Sequence, residues 1–137
     1  MMRVVIDTNC FLAILPNQSI CRPIFDAFRH CKFELAVSSE ILDEYAEIFE
    51  QKMNAEISSN IIELILKQPN SIRTEIFYRW GLITADYDDN KFVDTAISAN
   101  VDFIVTSHRH YNVLEQISFP SVKVISLSDF LKFFDVL

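Results

Sequence analysis

The chain has 137 residues, half of them hydrophobic and 12 of them phenylalanine, so one domain spanning residues 1–137 can bury a core without disulfides or a structural metal. Twelve Lys and Arg against 19 Asp and Glu leave a formal charge of −7, which excludes nucleic-acid affinity carried by a broad basic face. Gly81 is the only glycine, so neither a GxGxxG dinucleotide loop nor a Walker A loop exists, and no nucleotide cofactor is expected.

In chain order, RVVI (3–6) predicts a first strand and the run after Asp7 a first helix. Asp7 and Pro16 break the longest apolar stretches near the amino terminus, so neither a signal peptide nor a membrane span is expected. Cys10, Cys21 and Cys31 lack the paired spacing of a metal ribbon or redox motif, which points to free thiols in a cytoplasmic protein. A second strand is predicted at FELAV (33–37), then a helix over 38–52 capped by Ser38 or Ser39, further helices, and strands at DFIVT (102–106) and VKVIS (122–126). Residues 67–71 and 83–90 read as loops, and ISLSDFLKFFDVL (125–137) as an apolar helix that serves either the core or an interface. This alternation predicts an α/β fold, a mostly parallel sheet of four to five strands covered by helices on both faces.

Ligands of open α/β sheets bind beyond the carboxyl ends of the strands. Asp7 follows the first strand, and Thr106, Ser107 and His108 follow the strand at 102–106, so both positions open onto one edge. In the helix over 38–52, Ile41, Leu42, Tyr45, Ile48 and Phe49 define an apolar arc, and Glu44 lies closest to its border among the acids. In the segment 86–100, Phe92, Val93, Ala96 and Ala99 define a second arc; Asp89 falls inside it and Asp94 on the far side. Each acid also has a plainer reading: a turn residue at Asp7, a surface glutamate at Glu44, a helix cap at Asp89. No Lys or Arg stands out as their counter-ion, although Lys91 and Arg109 are near in sequence. Three converging carboxylates repel unless a cation sits between them, and all-oxygen ligands suit Mg²⁺ or Mn²⁺. The chemistry such a site serves best is phosphodiester hydrolysis.

VVIDTNCFLAIL, AVSSEILDEYAEIF and DYDDNKFVDTAISANVDFIVTSHRHY, in that order and spacing, resemble PIN domains, specifically the branch described as toxin components of toxin–antitoxin pairs. The resemblance covers almost the whole chain. It implies a three-layer α/β/α nuclease that cleaves RNA with a divalent metal. Its site residues fall on Asp7, Glu44 and Asp89, with Asn9 after the first aspartate and Asp94 at a position often acidic in this branch, as an outer or second-metal ligand. Thr8, Asn9, Thr106 and Ser107 would position ligands or a phosphate, and local cations, Arg22, Lys52, Lys91 and Arg109, would supply RNA affinity. One departure stands out: Thr-Gly-Asp or Thr-Asn-Asp is usual where this chain has Thr106-Ser107-His108. An imidazole supplies no negative charge and suits Mn²⁺ better than Mg²⁺, so His108 is a candidate ligand and the number of metals stays open. His110 reads as a polar loop residue.

A protein antitoxin over the cleft and a homodimer are the partners that the resemblance implies. The departure at His108 also motivates an alternative, a PIN-like module that binds RNA or a protein without cleaving. A phosphotransferase using Asp7 as nucleophile, in the manner of haloacid dehalogenases, would need a second Asp where Asn9 stands.

Overall fold

The structure, a computed structural model, describes residues 1–134. Strands β1 (Arg3–Ile6), β2 (Glu34–Val37), β3 (Ser71–Arg73), β4 (Phe103–Val105) and β5 (Val124–Ile125) form one parallel sheet in the order β3-β2-β1-β4-β5. Helices α1 (Thr8–Ile14), α2 (Arg22–Arg29), α3 (Ser39–Lys52), α4 (Ala55–Lys67), α5 (Asn90–Ala99) and α6 (Leu127–Leu131) cover it in a three-layer α/β/α sandwich. Two 3₁₀ turns, Tyr87–Asp89 and Arg109–Gln116, lead into α5 and follow β4.

Val4, Val5 and Ile6, and Leu35, Ala36 and Val37, are fully buried, because central parallel strands are covered on both faces and read as unbroken apolar runs. Val4 to Ile6 pair with Phe103 to Val105 in register, so β1 and β4 end side by side. From β1 the chain builds the sheet outward through β2 and β3, then reverses to add β4 and β5 on the other side. The carboxyl ends of β1 and β4 therefore flank the switch point, where such sheets open a ligand crevice. Phe11 of α1 packs against Tyr45 and Phe49 of α3, with ring centroids 5.1 and 5.6 Å away. That cluster locks the two helices that follow β1 and β2.

The predicted loop at 67–71 in fact runs into a strand. β3 is a three-residue edge strand with partly exposed side chains, paired from Leu35↔Ser71 to Val37↔Arg73, and so short a run leaves no alternating pattern. Its anchor is buried Asn70, whose amide donates to the carbonyls of Phe28 at 2.9 Å and Phe33 at 2.7 Å. The carboxy-terminal helix is shorter than predicted: α6 begins at the Ser126 cap and ends at Leu131, and 135–137 lie outside the described residues. With glycine so scarce, Asn100 takes the left-handed conformation that ends α5, at φ 53°. Among the described residues no helix is long and apolar enough to cross a membrane.

Candidate metal centre

Asp7 leaves β1 with its backbone extended, its N–H donating to Val105 O at 3.1 Å. One carboxylate oxygen, Oδ1, accepts from Cys10 N at 2.8 Å and caps α1; the other accepts from the Thr106 hydroxyl at the end of β4. The turn reading of Asp7 is thus realised on Oδ1, while Oδ2 faces the end of β4. Tyr45, wholly buried, bonds its hydroxyl to the Ile6 carbonyl and fixes the strand end that carries Asp7. Burial, then the charge of Asp7, push the Cys10 thiol up, away from the thiolate form.

Glu44 projects from α3 toward the same edge. Its Oε2 accepts from the Thr8 hydroxyl, and its Oε1 lies 2.8 Å from Lys91 Nζ. The expectation of no evident counter-ion is corrected here: Lys91, in the first turn of α5, pairs with Glu44 on α3. The side chains are only 15% and 21% exposed. Burial alone would lower the Lys91 pKa, but the Glu44 carboxylate, joined by Asp88 at 3.5 Å, more than offsets it, and the pKa rises.

Asp89 ends the 3₁₀ turn before α5 and makes no side-chain cap bond, so the cap reading does not describe it; Asp86 caps the 3₁₀ turn instead. Its Oδ2 lies 3.2 Å from His110 Nδ1. Burial raises the Asp89 pKa despite the hydrogen bond from His110. His108 donates its N–H to Thr106 Oγ1 at 3.1 Å, and its ring Nδ1 accepts from His110 N at 3.2 Å. Among the described residues, Asp89, His108 and His110 are the His, Cys, Asp and Glu side chains that place ligand atoms within 4.8 Å of one another as a group of three. Asp7 and Glu44 line the same strand edge without joining that tight group.

Tyr111 ties these parts together. Its phenol is buried, and its pKa is driven up first by that burial and then by Asp89, Asp7 and Glu44, the three acids singled out from sequence. Asp7, Asn9, Cys10, Ser107 and His108 line an open cleft of about 360 Å³ at the switch point.

Asp94, placed by its spacing on the far side of α5 from the apolar arc, is nonetheless covered. It is 2% exposed and accepts from Trp80 N at 3.1 Å, because the irregular segment 74–86 folds over that side of α5. Its surroundings are Arg79, Glu40 and Lys91 in a neighbouring hollow rather than the cleft of Asp7. Burial raises its pKa against the pull of the Trp80 N–H and Arg79. Of the expected cations, Arg22 is engaged with Asp26 at 3.3 Å and with the Leu15 carbonyl, while Lys52 and Arg109 are exposed. Sequence reasoning missed Tyr45 and Tyr111 as supports and His110 as a potential ligand; the His-x-His spacing directly after a strand end was its available signal.

Residues 3–110 match the family model described as the PIN domain. No curated protein sequence matches the chain. Among solved structures it is similar to a chain of VapBC2 from Rickettsia felis bound to a DNA fragment from the promoter, at 17% identity over 91% of this chain and 98% of that one, with a TM-score of 0.61. It is similar also to DNA-bound VapBC from Salmonella typhimurium, at 18% identity over 93% of this chain and 99% of that one and a TM-score of 0.58. A third similar structure is the RRP44 PIN domain of T. brucei, at 12% identity over 96% and 80% and a TM-score of 0.51. These likenesses establish the shared fold, and with the family match across β1 to β4 the chain belongs to the PIN domain family.

Proposed function

We propose that this protein is a metal-dependent endoribonuclease of the cytoplasm, the toxin of a toxin–antitoxin pair. The observation that carries the reading is that Asp7, held by Thr106 at the end of β4, Glu44, held by Thr8 next to Asp7, and Asp89, beside His110 just after β4, stand along one edge of a PIN-family sheet. The donor set fits a divalent cation. Each Asp7 oxygen accepts one hydrogen bond and keeps a lone pair, Glu44 already attracts an ammonium group, and Asp89 lies beside two imidazoles.

Asp7, Glu44 and Asp89 would hold Mg²⁺ or Mn²⁺, which when bound supplies an activated water and neutralises charge developing on phosphorus. The chain's own residues do the rest. Cys10 N and Thr106 hold the Asp7 carboxylate in one orientation, and Thr8 does the same for Glu44. Lys91, bonded to Glu44 at 2.8 Å and facing Asp88 at 3.5 Å, has a remaining ammonium proton for a phosphate oxygen. Asn9, Ser107 and Arg109, exposed at the rim, meet the RNA backbone and compensate locally for the acidic whole. The VapBC origin of similar chains and the resemblance to the toxin branch support an antitoxin that covers this cleft; a homodimer is part of the same reading.

The test is cleavage of RNA by the purified chain with Mn²⁺ or Mg²⁺ against a chelator control. Cleavage that requires the ion and is lost in Asp7→Asn is expected; metal-independent cleavage, or activity unchanged in Asp7→Asn, refutes the assignment.

A further inference from the structure

His108 and His110 lie outside the all-oxygen arrangement just described, yet their rings stand 4.1 Å apart, centroid to centroid, beside Asp89. The three ligand atoms fall within 4.8 Å of one another. Donors about 2.1 Å from one ion lie roughly 3 to 4 Å apart, so small side-chain rotations close the set.

The scaffold under these residues is firm. Asp89 sits at the entry to α5, and His108 opens the 3₁₀ turn after β4 with its N–H on Thr106. Tyr111 and Leu114, both buried, nail that turn to the core, and Tyr111 N donates to the His108 carbonyl at 3.2 Å. The Asp89 and His110 side chains are already in contact at 3.2 Å, Oδ2 to Nδ1, at a place an ion can take over. His108 Nδ1 accepts the His110 N–H at the long end of the hydrogen-bond range. Ligation through Nδ1 displaces that contact, and ligation through Nε2 moves the ring proton onto Nδ1; either loses one weak bond. The exposed His108 ring leaves the outer side open to water or a phosphate oxygen.

Donor chemistry then decides the ion. Two imidazoles and one carboxylate offer a single negative charge, which serves Mg²⁺ badly, since it prefers oxygen ligands and sheds water reluctantly. Imidazole nitrogen suits Zn²⁺, Co²⁺ and Ni²⁺, with Mn²⁺ weakest of the first-row series. We infer that Asp89, His108 and His110 form a site for a borderline divalent transition ion, Zn²⁺ or Co²⁺ ahead of Mn²⁺ and far ahead of Mg²⁺, distinct from the oxygen ligands Asp7 and Glu44. The site shares Asp89 with the proposed nuclease centre but does not depend on nuclease activity.

The experiment is titration of the metal-free full-length chain with Co²⁺, followed by visible absorption, together with melting temperatures in Zn²⁺, Mn²⁺ and Mg²⁺. Expected are one equivalent of Co²⁺ with a nitrogen-ligand spectrum, and stabilisation by micromolar Zn²⁺ that millimolar Mg²⁺ does not match. The double variant H108A/H110A lowers Co²⁺ affinity at least tenfold, whereas Asp7→Asn keeps it. Unchanged affinity in H108A/H110A, or equal stabilisation by Mg²⁺ and Zn²⁺, overturns the site. H108N/H110N, which keeps polar groups at both positions, gives the same reading if the alanine variant fails to fold. RNA cleavage is scored separately: a Co²⁺ site without cleavage removes the nuclease reading alone, and Mg²⁺-driven cleavage with Co²⁺ binding insensitive to both histidines removes this inference alone.

Discussion

Replacing Lys91 with Met removes the one ammonium seated among the acids while keeping the volume of the stem. At 2.8 Å and an effective dielectric near 20, the attraction to Glu44 is about 6 kcal/mol before desolvation. Both side chains are mostly but not fully covered, so the net loss falls between the fraction of a kcal/mol typical of surface pairs and the 3–5 kcal/mol of fully buried ones. We expect about 2 kcal/mol, which for a chain of this length, at roughly 2 cal/mol/K of unfolding entropy per residue, lowers the melting temperature by about 7 °C. The loss should be relieved in Lys91→Met/Glu44→Gln, where the only carboxylate left without Lys91 is the mostly exposed Asp88. The raised Lys91 pKa fixes the pH window: its stabilisation is complete below the ordinary lysine value of 10.5 and disappears as pH climbs through the raised folded value. Calorimetry of the two variants and the parent, with and without Mn²⁺, checks this. An uncompensated acid cluster binds cations more strongly, so Mn²⁺ should raise the melting temperature more in Lys91→Met than in the parent. Equal melting temperatures and equal Mn²⁺ responses would refute the electrostatic role given to Lys91.

Asn70→Ala strips both amide hydrogen bonds from the Phe28 and Phe33 carbonyls and leaves those groups buried; urea denaturation should show a loss of about 2–4 kcal/mol, and a loss below ~1 kcal/mol would mean that water replaces the amide. For Asp94, whose folded pKa lies above its unfolded value of 3.8, the native state binds its proton more tightly, so parent stability falls as pH rises from that value through the raised one. Asp94→Asn keeps an acceptor for Trp80 N and removes this slope, so its stability relative to the parent should grow across that window and then level off; parallel urea-derived profiles would show that Asp94 does not titrate this way.

The central strands were legible because burial on both faces writes them as unbroken runs, and α3 because its cap and apolar arc agree. The edge strand β3 was not, since three half-covered residues carry no pattern and its place is set by Asn70 reaching back to the loop before β2. Helical geometry turned Glu44 and Asp89 toward the core border from spacing alone, and the structure shows them there in contact with Thr8 and His110. It put Asp94 on the far side of α5 but could not see that this side is covered, because an angular argument knows the core face of a helix and not the irregular segment that packs on the other; Trp80 lies fourteen residues upstream. Lys91 was missed as a counter-ion for a related reason. Its partner stands forty-seven residues away on another helix, and only the packing of α3 beside α5 brings the two together.

The exchange of an acid for His108 and the pairing of Lys91 with Glu44 have a common electrostatic consequence. Asp7, Glu44 and Asp89 with one ammonium carry two net negative charges at the cleft, an amount that a single divalent cation neutralises. A fourth carboxylate at position 108 would leave one charge over and favour a second hard ion. With imidazoles at 108 and 110, a second ion at Asp89 would be held by nitrogen and by what Asp89 can share, since Asp94 is committed to Trp80 and Asp88 stands 3.5 Å from Lys91. On the proposed reading, then, the oxygen site and the nitrogen site are selective for different cations because each lacks what the other supplies, and Asp89 is the residue through which occupancy of one alters affinity at the other.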